Sequence, residues 1–342
     1  MPRTLIIRFG ALGDLCICGW FVSGLAAAAP GTHTTLVTKE KFAALARAFD
    51  GVDEVKVLPG RGLSALLGLA RSLGLDGYDT VLDAHGVLRS HLLTLLMRRR
   101  PDARIRKDTG QRLRLLRNAP HAHAPLLPAL NRSLLDRFLE LTGPAAGRAT
   151  SPRPPLAHLR PAERPSPRVG LAPGARWDSK RWPDNKFANL IDLLRECSAV
   201  PVTLFLGPDE TPWYAGSRLA VAAARHPDVD VVRDRELIDV AGALARCSVT
   251  VTNDSGLLHL AEATGTPVVA LFGPTVRAFG YYPLLPQSRV LELALDCRPC
   301  SRTGSRPCHR GDLACLEGIE ATAVRDAVLP LLGGNPDPDG GA

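Results

Sequence analysis

The stretch "VTVTNDSGLLHLAEATGTPVVALFGPT", residues 249 to 275, decides the fold. "VTVTN" (249–253) has the β-branched composition of a strand. Asp254 or Ser255 then suits the N-cap of a helix carrying His259, four residues after Ser255 and five after Asp254. "GTP" turns the chain into a second buried strand, "PVVALFG" (267–273), which ends in a phosphate-sized turn, "FGPT". Strand, helix and strand in that succession make a βαβ unit, the building block of parallel sheets. Ligands of such sheets lie beyond the C-terminal strand ends, where the first-turn N–H groups after Asp254, Ser255 and Gly256 would face an anion.

The alternation extends outward from this unit. "RVGLAP" (168–173), "VPVTLFLG" (200–207) and "VDVV" (229–232) precede it; "TLIIRF" (4–9), "TTLVT" (34–38), "EVKVL" (54–58) and "TVLDA" (80–84) form an earlier series. Ala- and Leu-rich helical stretches separate them. Between the series lies "SPRPPLAHLRPAERPSPR" (151–168), whose six prolines exclude a helix or inner strand and read as a linker. The expected organisation is α/β throughout: a domain over 1–150, the linker, a second domain over 169–332, and a Gly/Pro/Asp-rich tail over 333–342 that is too polar to pack. The strand ends of the two domains can then face one cleft.

Charge distinguishes the halves. Residues 1–160 hold 23 Lys/Arg against 12 Asp/Glu, and residues 161–342 hold 19 against 22, so the net +8 is +11 and −3. The surplus peaks between Arg98 and Arg117, where nine of twenty residues are basic. Such a surface is either a solvated basic face or one that attracts an anion: nucleic acid, acidic lipid headgroups or a phosphorylated substrate. With 4 tyrosines and 5% aromatics the chain lacks stacking platforms for single-stranded nucleic acid, so no nucleic-acid partner is expected. "LCICGWFVSGLAAAA" (15–29) imitates a signal-peptide core, but Asp14 before it and the strand-like "TTLVT" after it make it the first helix of a βαβ unit. No apolar run reaches the ~18–20 residues of a membrane span, and a cytoplasmic location is expected.

Three further features carry chemistry. In "APGARWDSKRWP" (172–183) a glycine turn precedes Lys180, backbone N–H groups and a cation that suit a phosphate, and Pro183 suits the first turn of a helix. In "LGPDE" (206–210), Asp209 stands beyond a strand, where it could accept from ribose hydroxyls or cap the next helix. In "LIIRFGALGDL" (5–15), Gly10 and Gly13 fit no G-x-G-x-x-G pattern, which argues against a nicotinamide oxidoreductase. Asp14 ends that turn as a candidate base, with helix capping as its structural alternative.

"RFGALGD", "TVLDAHGVLRSHLL", "APGARWDSKRWPDNKFANLI" and "TNDSGLLHLAEATGTPVVALFGPT" together resemble the ordered motifs of the ADP-heptose:lipopolysaccharide heptosyltransferases, glycosyltransferase family 9, over about residues 4–320. The resemblance implies a GT-B architecture of two facing Rossmann-like domains, acceptor-binding then donor-binding, and inverting transfer without a metal or other catalytic cofactor. It assigns Lys180 to the donor phosphates, Asp254, Ser255, Gly256 and His259 to the diphosphate and sugar, and Asp209 to the ribose. Gly174 and Ala175 stand where family members often carry hydroxyls, so only backbone contacts could remain there. Asp14 becomes the general base, with Gly13, His85 and Arg89 on the acceptor side. Lys180 and the helix end would stabilise the departing diphosphate. The implied partners are an ADP-sugar and an anionic glycolipid, with peripheral contact at the inner face of the plasma membrane. A transferase for another nucleotide sugar on this fold, and a non-catalytic sugar-nucleotide- or glycan-binding protein, are the competing readings.

The eight cysteines fall in two sets. Cys16, Cys18, Cys197 and Cys247 read as buried helix packing. Cys297, Cys300, Cys308 and Cys315 form C-x2-C-x7-C-x6-C, a spacing compatible with structural zinc, with an iron–sulfur cluster, or with free thiols or a redox disulfide. In each case the segment is expected to brace the C-terminal tail and to take no part in transfer.

Overall fold

A computed structural model describes residues 1–60, 62–117, 132–143, 152–163, 166–198 and 200–333. Most of the expected tail, 334–342, lies outside them. The chain divides into two compact units, Met1–Asp108 with Arg132–Ala157, and Thr109–Asn131 with His158–Ala342.

In the first unit β1 (Arg3–Ile7), β2 (His33–Lys39), β3 (Glu54–Leu58), β4 (Thr80–Asp83) and β5 (Ala103–Arg104) form one parallel sheet in the order β3-β2-β1-β4-β5. In the second, β6 (Val169–Ala172), β7 (Val202–Phe205), β8 (Val229–Val232), β9 (Val249–Asn253), β10 (Val268–Phe272) and β11 (Arg289–Glu292) form another, in the order β11-β10-β9-β6-β7-β8. All pairings in this sheet are parallel too. Each order steps outward from its first strand, returns to that strand's other side and steps outward again. The reversals fall between β1 and β4, and between β6 and β9. A ligand crevice opens at such a reversal because the two connections leave the sheet toward opposite faces.

Strand composition follows burial. β6, β7, β9 and β10 are buried at every residue and read as near-continuous apolar or β-branched runs, as strands covered on both faces must. The long apolar segment after β1 is the helix Leu12–Ala28, buried over most of its length and leading to parallel β2, in keeping with its reading as the first helix of a βαβ unit. Among the described residues no helix is long and apolar enough to cross a membrane.

The proline-rich passage is docked at residues 153–156 and, where its prolines were expected to exclude a helix, makes one 3-10 turn at Ala157–Leu159. Ser23 Oγ donates to the Arg153 carbonyl (2.7 Å), Asp50 N donates to the Pro155 carbonyl (2.8 Å), and Leu156 is fully buried. Proline removes donors but keeps its carbonyl, so a proline-rich strand can still be held by acceptor bonds alone.

Candidate active site

In the second unit the candidate donor residues gather at the β6/β9 reversal. β9 ends in Asn253, which is fully buried. Its Oδ1 accepts from Trp182 N (3.0 Å) and its Nδ2 donates to the Pro173 carbonyl (2.7 Å), tying the turn after β6 to the chain after Lys180. The Trp182 indole N–H donates to the Ile319 carbonyl (3.0 Å), and its ring stands edge-on to Phe187 at 4.8 Å. With that backbone fixed, Lys180 and Arg181 point to different tasks. Arg181 folds back to donate to the Ala175 carbonyl (3.0 Å), whereas Lys180 Nζ lies 2.5 Å from Asp254 Oδ2. Asp254 also accepts from the Thr275 hydroxyl (2.6 Å), which joins the "FGPT" turn to the "NDSG" turn.

The helix after β9 runs Gly256–Ala263. Ser255 is its N-cap by backbone conformation but makes no side-chain cap hydrogen bond, and the Asp254 carboxylate is committed to Lys180 and Thr275. The side-chain cap expected of Ser255 is therefore absent, and a helix N-terminus without one suits an anion. His259 is buried in the same helix, its ring 6.3 Å from that of Tyr281. Gly174 and Ala175 form the turn after β6, and Ala175 is buried. A side chain at Gly174 would collide with the Glu210 carboxylate, whose Oε2 accepts from Gly207 N (2.7 Å). Asp209 is exposed, and Glu210, not Asp209, is the N-cap residue of the next helix.

In the first unit Asp14, His85 and Arg89 follow β1 and β4, the strands that flank the other reversal. Asp14 is the third residue of its helix, with Ala11 as N-cap and Gly13 buried beside it. Its Oδ2 accepts from Ala11 N (3.3 Å) and pairs with the Arg8 guanidinium. Oδ1 has no partner among the described residues. Buried Arg8 also donates to the Ala84 carbonyl after β4 (2.7 Å), so one side chain spans the reversal and holds one oxygen of Asp14.

Fully buried Asp83 organises the β4 turn. It accepts from His85 N (3.0 Å), Gly86 N (2.8 Å), Ser90 Oγ (2.9 Å) and Arg104 Nε (2.6 Å). His85 packs against Phe9 at 5.2 Å between ring centroids. Burial, and after it the charges of Arg8 and Lys107, hold its pKa at about 4. Arg89 donates to the Gly60 carbonyl.

The basic run divides on folding. Arg98, Arg100, Arg106 and Lys107 are exposed, and Arg104 pairs with Asp83. Arg112 is buried in the second unit, donates to the Phe279 carbonyl (3.0 Å) and lies over the Tyr281 ring.

The cysteine expectations need correction. Among the described residues no group of three or more His, Cys, Asp or Glu side chains comes together to hold a metal, so zinc or iron–sulfur ligation by Cys297, Cys300, Cys308 and Cys315 is unsupported. All eight cysteines are free thiols. Backbone and arginine bonds hold this segment instead: buried Arg298 donates to the Gly273 (2.5 Å) and Thr275 (2.8 Å) carbonyls, and Cys300 N donates to the Pro274 carbonyl (3.2 Å). Burial, the largest cause, pushes the Cys315 thiol up to about 11. Cys197, expected to be buried, is exposed, and Cys247, expected in a helix, is buried beyond the end of the helix Leu237–Ala245.

Sequence reading missed Arg8, Asp83, Asn253, Thr275 and Arg112. The first four lie inside stretches already marked as functional; only their partners, distant in sequence, reveal what they do. Arg112 carried no signal separating it from its exposed neighbours.

Two parallel α/β sheets, each with one strand reversal, make up the GT-B fold. Residues 66–309 match the family model described as glycosyltransferase family 9 (heptosyltransferase), and the chain belongs to that family. Lipooligosaccharide heptosyltransferase 2 of Haemophilus influenzae is 35% identical over 111 residues, 32% of either chain, so the matched stretch spans about a third of that relative. Lipopolysaccharide heptosyltransferase 1 of Pseudomonas aeruginosa is 28% identical over 318 residues, 87% of this chain and 86% of the relative. The solved structure of Escherichia coli ADP-heptose lps heptosyltransferase II superposes with a TM-score of 0.72 at 22% identity, covering 97% of this chain and 98% of that one, a likeness of fold.

Proposed function

We propose that the protein is an inverting, metal-independent heptosyltransferase that moves a heptose-type sugar from an ADP-sugar to an anionic glycolipid of the lipopolysaccharide-core class. The observation that carries the reading is the Lys180–Asp254–Thr275 cluster beside the uncapped end of helix Gly256–Ala263, at the strand reversal. A cation and free N–H groups at that position suit a diphosphate. The names of the similar proteins support ADP-heptose as the donor and a lipopolysaccharide acceptor.

In this reading Asp14 Oδ1 takes the proton of the acceptor hydroxyl while Arg8 holds Oδ2. The acceptor oxygen attacks the anomeric carbon from the face opposite the diphosphate, the bond from that carbon to the diphosphate oxygen breaks, and ADP leaves with the electron pair. Lys180 and the N–H groups of Gly256 and its neighbours stabilise the charge that develops on the leaving oxygen. Asp254 and Ser255 orient these groups, His259 borders the sugar, and Asp209 receives the ribose with Glu210 beside it. Gly174 and Ala175 offer backbone contacts only. Gly13 gives the acceptor close approach, neutral His85 offers it hydrogen bonds, and Arg89 faces its anionic groups. Exposed Arg98, Arg100, Arg106 and Lys107 support peripheral contact with the anionic inner face of the plasma membrane.

The test is a thermal-shift panel of ADP-, UDP- and GDP-sugars, then transfer assays on wild type and Asp14→Ala. ADP-sugars should stabilise the protein, and Asp14→Ala should retain donor binding while kcat falls by a factor of about 10² or more. Near-normal kcat in Asp14→Ala would remove the assigned base, and stabilisation by UDP- or GDP-sugars alone would remove the assigned donor.

A further inference from the structure

We infer that residues 298–304, inside the four-cysteine segment, form a wall of the donor site, and that Gly304 and Ser179 are positioning residues for Lys180. The inference rests on the reading of Lys180 as a phosphate contact. A C-terminal brace would need only to touch the end of the chain. This segment reaches the site lysine instead.

Gly304 has φ +83°, and a Cβ built on it would lie 2.7 Å from both Cγ and Cδ of Lys180. The lysine stem therefore runs through the space a side chain at 304 would fill. Ser179, the residue before Lys180, is buried and donates its hydroxyl to the Gly304 carbonyl at 2.6 Å. That bond fixes the backbone from which the lysine departs. Gly304 N in turn donates to the buried Ser301 hydroxyl (2.9 Å), closing the turn that presents its flat face. A few residues earlier, Arg298 and Cys300 grip the carbonyls of Gly273, Pro274 and Thr275. Thr275 is the residue whose hydroxyl donates to Asp254. Both members of the Lys180–Asp254 pair thus hang on one short segment.

A lysine has a flexible four-carbon stem, and its ammonium is a useful phosphate ligand only where packing removes the other rotamers. Gly304 does this by contact and Ser179 by anchoring the main chain. The glycine serves two needs, because its backbone is left-handed and its missing side chain makes room for the stem.

The test is calorimetric titration of the full chain with ADP and with AMP. Wild type, Lys180→Ala, Gly304→Ala, Ser179→Ala and the double variant Lys180→Ala/Gly304→Ala are compared. Lys180→Ala should weaken ADP by about tenfold or more, the scale of a lost charge-assisted bond. Gly304→Ala and Ser179→Ala should each weaken ADP about fivefold or more and AMP by less than about twofold. Adding Gly304→Ala to Lys180→Ala should cost nothing further, because a residue acting through the lysine has nothing left to act on. Equal losses for ADP and AMP, unchanged ADP affinity, or losses that multiply in the double variant would each overturn the proposal. If Gly304→Ala fails to fold, Ser179→Ala decides by the same ratio. If Lys180→Ala itself leaves ADP affinity unchanged, the donor reading of Lys180 fails and the proposal falls with it; a normal Lys180 effect with silent 179 and 304 variants removes only the proposal.

Discussion

Replacing Asn253 with alanine should cost far more than the loss of one polar side chain. The amide is fully buried and makes two well-formed bonds, accepting from Trp182 N at 3.0 Å and donating to the Pro173 carbonyl at 2.7 Å. Alanine strands both backbone partners away from water. Each buried group left without a partner costs about 1–3 kcal/mol. The sum, about 4 kcal/mol, is a large part of the roughly 5–15 kcal/mol that holds a domain folded. At ~2–4 °C per kcal/mol for a unit of this size, Tm should fall by about 10 °C. Urea unfolding followed by tryptophan fluorescence reads the loss directly, since Trp182 is one of the stranded partners. Asn253→Asp sharpens the argument. Near neutral pH its second oxygen faces the Pro173 carbonyl and should destabilise at least as much as alanine. In acid the protonated carboxyl can donate as the amide did, so this variant should gain stability, relative to wild type, as pH falls. A loss below about 1 kcal/mol in Asn253→Ala, or an aspartate variant with no such pH response, would refute the view that Asn253 pins the donor turn.

Glu262 accepts from Leu284 N, Leu285 N and Ser288 Oγ within 3.0 Å, so Glu262→Ala should cost about 3 kcal/mol by urea unfolding through the donors it strands. Burial raises the Glu262 pKa to about 7, and its favourable effect on folding is present below the ordinary value of 4.5 and lost as pH rises through 7. His85 has the opposite sign: held at about 4, it supports folding above its ordinary 6.5, and that support is lost as pH falls through 4. A His85→Asn variant should therefore lose less stability than wild type between pH 6.5 and 4 in parallel thermal melts. Gly10 has φ +128°, and a side chain there would strike the buried Phe42 ring, so Gly10→Ala should lower stability by about 2–3 kcal/mol in the same assay.

Periodicity and composition carried the sheet far better than the site. "VTVTN" coincides with β9 because buried parallel strands are dense in β-branched residues, and "EVKVL" with β3, a half-buried edge strand whose apolar and charged residues alternate. Two strands went unseen. β5 is two residues long, and β11, "RVLE", is a partly exposed edge whose charged ends mask it. For the candidate site, residue type and position beyond a strand were enough to single out Asp14, Lys180 and Asp254 as candidates. Their partners were not legible, because Arg8 reaches Ala84 and Thr275 reaches Asp254 through space that only the folded sheet brings together. The cysteine spacing finds no support of this kind: it records separation along the chain, whereas a metal needs a ligand group, and among the described residues none is found while Arg298 ties this segment to the turn beside β10.

On the proposed function, the 2.5 Å pairing of Lys180 with Asp254 also bears on which anions the site would ignore. A bare ammonium beside open helix N–H groups would attract any small anion in solution. With a carboxylate against it, much of that attraction is cancelled at a distance and survives only for a ligand that docks close enough to share the remaining N–H bonds. Inorganic phosphate has no adenosine to hold it there. If the site takes the proposed ADP-sugar, the ion pair would act as a filter against common electrolytes, leaving affinity to ligands that anchor themselves elsewhere on the sheet before they meet the charge.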